Sequence, residues 1–249
     1  MSVPYLPDLA WERAGALIGA GAIGLLPVGA TESHGPHLPL WTDVYLSLEL
    51  SFRIGEALSR AGGQALVLAP VTLAVTRYAS AFAGTLSISA ATERAVLDEV
   101  LAHLARHGMR RVALVNSHLE PEHVAILAAT ASQDDAIAVF VDHCRKPWAL
   151  ELGSEFRSGD AHAGCYETSL LLASRYADRV DLTAMASLPP CNAGLVKAMR
   201  AGVGGFAEMG AARSYFGDPA RATRAEGEAL WAVLVRMWVE RLSERSTGG

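Results

Sequence analysis

Four short apolar runs, at 23–28, 65–69, 112–115 and 137–141, are separated by stretches whose apolar residues recur at helical spacing. Each run is bounded by Gly, Pro or polar residues and is short enough to be a strand buried on both faces. Between them, Ser89 stands as an N-cap ahead of Val96, Val100, Leu101 and Leu104 on one stripe, and Gly108 ends that helix. Residues 43–58 read as a helix with an acidic first turn, and Pro121 opens another that runs toward residue 131. Further helical patterns lie at 166–176 and 219–242. Parallel neighbouring strands need a crossover, and the crossover is usually a helix. The alternation therefore predicts a single-domain layered α/β fold over 1–249, with a mostly parallel central sheet flanked by helices. The polar, irregular stretch 142–160 is expected to be an active-site loop or lid.

Composition narrows the class. No stretch approaches the roughly 20 apolar residues of a membrane span, because Pro27, Glu32 and later charges interrupt each candidate. Residues 1–9 carry neither the basic start nor the long apolar run of a secretory signal, so a cytoplasmic location is expected. Cys144, Cys165 and Cys191 form no C-x-x-C pair and are expected to be free thiols. A formal net charge of −5 without a block of Lys or Arg gives no footprint for nucleic acid. A small-molecule partner is expected.

Two polar clusters follow predicted strands. Glu32, Ser33, His34, Gly35, Pro36 and His37, with Thr42 and Asp43, follow the first; Asn116, Ser117, His118, Leu119 and Glu120 follow the third. Ligands of open α/β sheets bind outside the carboxyl ends of the strands, so both clusters should reach one crevice. In extended segments Glu32 and His34 project to one side, as do His118 and Glu120. Imidazole nitrogen with carboxylate oxygen is a ligand set for zinc, manganese or iron in hydrolytic sites. Asp43 can bridge two ions through its two oxygens. Two divalent ions, the carboxylates of Glu32, Asp43 and Glu120, and a bridging hydroxide would then sum to neutrality. A third cluster, running from Gly159 and Asp160 through His162 to Glu167 and Thr168, leads into a helix and adds a proton-transfer candidate.

The run Pro27-Val28-Gly29-Ala30-Thr31-Glu32-Ser33-His34-Gly35-Pro36-His37-Leu38-Pro39-Leu40-Trp41-Thr42-Asp43 resembles the signature of the creatininase family. Phe82-Ala83-Gly84-Thr85, His118-Leu119-Glu120, His162 to Ser169, and Gly217-Asp218-Pro219 follow in the family's order, so the resemblance covers nearly the whole chain. His118-Leu119-Glu120 resembles creatininase itself, whereas Phe82 to Thr85, the stretch 160–169 and the overall length are closer to the mycofactocin-pathway peptidase branch. The resemblance implies two divalent metal ions, zinc or manganese with iron as a further option. Glu32, Asp43 and His118 would hold one ion, and His34, Asp43 and Glu120 the other. It makes His162 the proton-transfer residue, with Glu167 orienting it or completing the metal shell. It also implies a homohexamer that cleaves the carbon–nitrogen bond of a small cyclic or linear amide by a metal-bridged hydroxide. One alternative is a peptidase trimming a modified peptide; another is a metal-stabilised binding module without catalysis.

Other polar residues have plainer expectations. His37 is expected to hydrogen-bond its Pro-rich turn or stand behind the ligands. Glu122 is expected to serve the start of its helix, and His103 and His107 the end of theirs. Cys165 lacks a base arrangement for nucleophilic work. The run 202–205 is not followed by Lys-Ser or Lys-Thr, so a turn is expected there rather than a phosphate loop.

Overall fold

A computed structural model describes residues 3–133 and 137–244; positions 1–2, 134–136 and 245–249 of the expected domain lie outside the described residues. The strands are β1 (Ile23–Val28), β2 (Ala65–Val67), β3 (Val112–Asn116) and β4 (Ala138–Val139). The helices up to the third strand are α1 (Trp11–Gly19), α2 (Thr42–Arg60) and α3 (Ala90–Arg106). Beyond it come α4 (Pro121–Ala131), α5 (Gly153–Ser158), α6 (Cys165–Leu172), α7 (Leu182–Ala186), α8 (Leu195–Arg200) and α9 (Arg224–Ser243).

The sheet is parallel throughout, in the order β2-β1-β3-β4. β1 and β3 form its central pair, in register from Gly24 opposite Val112 to Val28 opposite Asn116. Their carboxyl ends therefore stop level, and the chain leaves both strands on the same rim. Alternation divides the strand side chains between two cores. Leu25, Val67, Ala113 and Val115 face α2, α6 and α9 and pack with Val44, Leu50, Leu171, Trp231 and Trp238. Leu26, Val28, Leu66, Val112 and Leu114 face α1, α3 and α4 and pack with Ile18, Leu97 and Leu127. Each buried Leu or Val stabilises by about 1.5–3 kcal/mol, so strands of two to six residues hold because both faces are covered.

Local signals set several boundaries. The Ser89 hydroxyl accepts the Thr92 N–H at 3.2 Å to open α3, and Gly108, at φ +90°, follows its end. Pro121 begins α4 as expected. Other elements differ from expectation. β2 ends at Val67 and β4 spans only Ala138–Val139, shorter than the apolar runs containing them. α6 stops at Leu172, and the C-terminal pattern is split: Pro219–Arg221 is a 3-10 turn, after which Thr223 caps α9 by accepting the Glu226 N–H at 3.1 Å. The stretch 142–160 is less irregular than its polarity suggests, since it holds a 3-10 turn at Trp148–Leu150 and α5. No described helix is long and apolar enough to cross a membrane.

Candidate metal centre

Each polar side chain reaches the rim by a specific local device. After β1, the Glu32 N–H donates to Leu40 O at 3.0 Å, folding the segment back so that Asp43 enters with the first turn of α2. Gly29 permits this approach: a Cβ there would lie 2.7 Å from the Val44 nitrogen and 2.8 Å from the Asp43 carbonyl carbon. At the end of β3, Asn116 brackets His118, its Oδ1 accepting the His118 N–H at 3.0 Å and its Nδ2 donating to His118 O at 2.6 Å. From the third cluster, His162 Nε2 donates to Ser33 O at 3.1 Å, and the Ala163 N–H donates to Glu167 Oε2 at 2.6 Å. Ala163 holds φ +50°, a left-handed conformation costing a non-glycine residue about 1 kcal/mol.

Glu32, His34, Asp43, His118, His162 and Glu167 are thus brought together, each less than a tenth exposed. The two central histidines show how the atoms are arranged. His34 Nδ1 lies 3.1 Å from Glu32 O and His118 Nε2 lies 2.8 Å from Val75 O. A backbone carbonyl only accepts, so each ring carries its hydrogen on that outward nitrogen. In the neutral ring the inward nitrogen then presents a lone pair. His34 Nε2 faces Asp43 Oδ1 at 3.1 Å and Glu167 Oε2 at 3.6 Å. His118 Nδ1 faces Asp43 Oδ2 at 3.1 Å and Glu32 Oε1 at 3.2 Å. In a buried site such facing groups call for a cation between them, a proton on the imidazole when no metal is bound and a metal ion in its place otherwise. Asp43 Oδ2 is buried and makes no hydrogen bond, although His118 is so near. Three overlapping donor groups result among the described residues, Glu32 with Asp43 and His118, His34 with Asp43 and Glu167, and Glu32 with His34 and His162; the atoms within each lie within 4.8 Å of one another. All three offer the oxygen and nitrogen donors that zinc and manganese accept.

The electrostatics reflect the crowding. Burial opposes charge on His34, yet Asp43, Glu167 and Glu32 together lift it to about 10. His118 is likewise carried well above the ordinary imidazole range by Glu32 and Asp43 against its burial. Burial pushes Glu167 up to about 8, with His34 opposing. Burial and the neighbouring His34 hold His162 down to about 4, which leaves it neutral near pH 7. Its ring stands 4.5 Å from that of His34 and 4.4 Å from that of Phe206, and its Nδ1 lies 3.8 Å from Glu32 Oε1.

Glu120 is placed differently from its spacing. It is the N-cap residue of α4; Oε2 accepts the Tyr78 N–H at 3.5 Å, while Oε1 is buried without a hydrogen-bond partner, 3.8 Å from Arg77 Nε. It lines the same cavity as the cluster but belongs to none of the three donor groups. His37 stands outside as well, its Nε2 2.9 Å from Thr168 Oγ1. Glu122 pairs with Arg77, and His103 and His107 are exposed at the end of α3. The Cys165 thiol donates to Glu226 Oε2 at 3.1 Å, and burial with that carboxylate holds it up at about 12, far from a thiolate. Residues missed in the sequence include Thr76, whose hydroxyl donates to Glu32 Oε2, and the buried pair Glu93 and His123. Nothing in their spacing marks them.

Glu32, Asp43, His118, His162 and Glu167 line a cavity of about 550 Å³. Residues of the 142–160 stretch, including Lys146, Leu150, Phe156 and Arg157, line it as well. A second hollow of about 940 Å³ adjoins it and shares Tyr78, Leu119, Lys146, Met199 and Arg200.

A parallel α/β sheet whose strand ends carry a buried carboxylate and imidazole cage, open to a cavity, has the build of a hydrolytic enzyme. Comparison with known proteins makes the class specific. The creatininase family model, described as creatinine amidohydrolase, matches residues 7–242. Creatinine amidohydrolase of Pseudomonas putida is 30% identical over 201 residues, 75% of this chain and 77% of that protein. Mycofactocin precursor peptide peptidase of Mycolicibacterium smegmatis is 33% identical over 221 residues, 88% of this chain and 83% of that protein. A solved structure named creatininase Mn superposes with TM-score 0.74 at 25% identity, covering 99% of this chain and 100% of that one. An E122Q mutant creatininase described as Zn-Zn type gives the same TM-score of 0.74 at 25% identity, covering 100% of each chain. The chain belongs to the creatininase family, hydrolases that act on carbon–nitrogen bonds.

Proposed function

We propose that this chain is a dinuclear metal-dependent amidohydrolase in which Glu32, Asp43 and His118 hold one divalent ion and His34, Asp43 and Glu167 the other. Glu120, with its unpartnered buried Oε1 on the same cavity, is the further ligand of the second ion. The observation that carries this is Asp43, which sets one oxygen opposite the inward nitrogen of each histidine. Zinc or manganese held there supplies Lewis acidity toward the amide carbonyl and toward the attacking water. The chain's own residues do the rest. Phe206 packs on the His162 ring and excludes water from one of its faces. Ser33 O fixes the hydrogen on His162 Nε2, leaving Nδ1 directed at the cluster to take a proton from the attacking water and pass it to the departing nitrogen. The Ala163 N–H holds Glu167 in place beside His34.

The substrate is a small cyclic or linear amide. A peptide substrate is the second reading, supported by the adjoining hollow of about 940 Å³, which gives an extended chain somewhere to lie. In the same reading the enzyme is a single domain over 1–249, and it is homohexameric as the family resemblance implies. Metal-loaded protein incubated with cyclic ureides, lactams and linear peptides, followed by mass spectrometry, separates the two substrate classes. On the responsive substrate, His162→Ala is expected to keep its metal and lose about 10²- to 10⁴-fold in rate. A loss within about tenfold would sink the proton-transfer role.

A further inference from the structure

Behind the His118 ring lies a second polar layer on which the metal cage itself does not draw. Glu93, in the first turn of α3, is 0% exposed, and so is His123 on α4. Glu93 Oε2 accepts the Val75 N–H at 2.7 Å, and Glu93 Oε1 lies 2.5 Å from His123 Nδ1. Both lines lead to His118. Val75 is the residue whose carbonyl takes the His118 Nε2 hydrogen at 2.8 Å. His123 Nε2 lies 2.9 Å from Asn116 Oδ1, the same oxygen that accepts the His118 N–H. That amide oxygen has no hydrogen to give, so His123 Nε2 must donate to it, and the contact of Nδ1 with Glu93 Oε1 holds a second proton shared between ring and carboxylate. The rings of His118 and His123 stand 4.9 Å apart.

We infer that Glu93 is a positioning residue for the metal ligand His118: one carboxylate fixes the ring through Val75 and the backbone through His123 and Asn116. The consequence is specific to one ion. A ring free to turn about its side-chain torsions no longer aims the Nδ1 lone pair between Glu32 and Asp43, whereas His34 is oriented by its own contact with Glu32 O and is untouched. This rests on the metal reading of the cage. The hydrogen-bond pattern also predicts which substitution is tolerated. In Glu93→Gln the amide oxygen can accept the Val75 N–H while its NH2 donates to His123 Nδ1, and the neutral imidazole still donates through Nε2 to Asn116. All the bonds survive without a carboxylate. In Glu93→Ala both lines are cut.

The test is metal affinity, with zinc and separately manganese competed against a chromophoric chelator, read well below the unfolding temperature of every variant. Glu93→Ala is expected to weaken one of the two bound equivalents about 10- to 100-fold and leave the other unchanged. Glu93→Gln is expected to stay within about threefold of wild type, by the bond-for-bond replacement above. Leu101→Ala, two turns further along α3 and nine-tenths buried, controls for general destabilisation: it should lower the melting temperature and keep both affinities. His123→Ala, which cuts only the Asn116 line, should weaken the same equivalent by less, and it serves if Glu93→Ala does not fold. Wild-type affinity in Glu93→Ala and His123→Ala, an equal loss in Leu101→Ala, or a loss in Glu93→Gln as deep as in Glu93→Ala would each overturn the assignment. Wild-type protein that takes up no metal would overturn the cage and this inference together; uptake without an effect of Glu93 would overturn this inference alone.

Discussion

Asp43 Oδ2 and His118 Nδ1 lie 3.1 Å apart, yet the ring's hydrogen is committed on its far side, to Val75 O. Because the other Asp43 oxygen meets His34 in the same way, Asp43→Ala is expected to strip both ions, whereas Glu32→Gln should weaken only the one near His118. Elemental analysis after dialysis against metal-free buffer should read about two ions per chain in the wild type, about one in Glu32→Gln and near none in Asp43→Ala. An Asp43→Ala protein that retains two equivalents would end the bridging assignment.

His143 predicts acid sensitivity away from the cage. It is 5% exposed, its ring lies 5.8 Å from that of Phe156, and burial holds it down to about 4 against 6.5 in the unfolded chain, with Asp142 opposing. The unfolded state therefore takes up the proton first as pH falls. The contribution is intact above pH 6.5 and is lost progressively between 6.5 and 4. At pH 5 this one group should remove about 2 kcal/mol relative to pH 7.5. Urea titrations at both pH values, compared with His143→Gln, isolate the effect: the variant should show a smaller difference between them by about that amount. An equal pH dependence in both proteins would refute it.

Gly227 sets how closely α9 approaches α6. A Cβ at this position would lie 1.9 Å from Ser169 O and 2.6 Å from Ala173 Cβ. Gly227→Ala must push the helices apart and is expected to cost about 3 kcal/mol, or about 6–12 °C in melting temperature. Gly15→Ala in α1 is the opposite case, since nothing lies within 4 Å of its added methyl, and it should stabilise by about 0.5–1 kcal/mol. Differential scanning fluorimetry of the two variants gives both signs, and a neutral Gly227→Ala would contradict the tight packing.

The residues legible in the sequence are those whose geometry is local. Glu32 and His34 stand two apart just past a strand, and Asp43 opens the next helix, so their convergence needs only the end of β1 and the turn into α2. The parallel sheet was likewise readable, because apolar runs alternate with amphipathic helices whose starts, the cap Ser89 and the first-turn Pro121, are written in single residues. Glu120 shows how spacing can mark a residue and still miss its local setting. Its alternation with His118 presumes an extended run, but Asn116 brackets His118 and Pro121 turns Glu120 into a helix cap, so the two carboxylate oxygens go to Tyr78 and toward Arg77. Glu167 shows the converse. Its meeting with His34 depends on how α6 is seated, and part of that seating is Glu155, which accepts the N–H groups of Cys165, Tyr166 and Asp218. A carboxylate that gathers three backbone donors from two distant segments leaves no periodic trace.

Polypeptides emerge from the ribosome N-terminus first. The proposed donors stand at positions 32, 34, 43, 118, 120 and 167, and the last of them rides on α6, which packs against α9. A growing chain can therefore pair β1 with β2 and β3 long before Glu167 has anything to rest on. An ion captured by this cage would be a late arrival, sealing a sheet already assembled rather than seeding it, and its uptake would mark the moment the final helix docks.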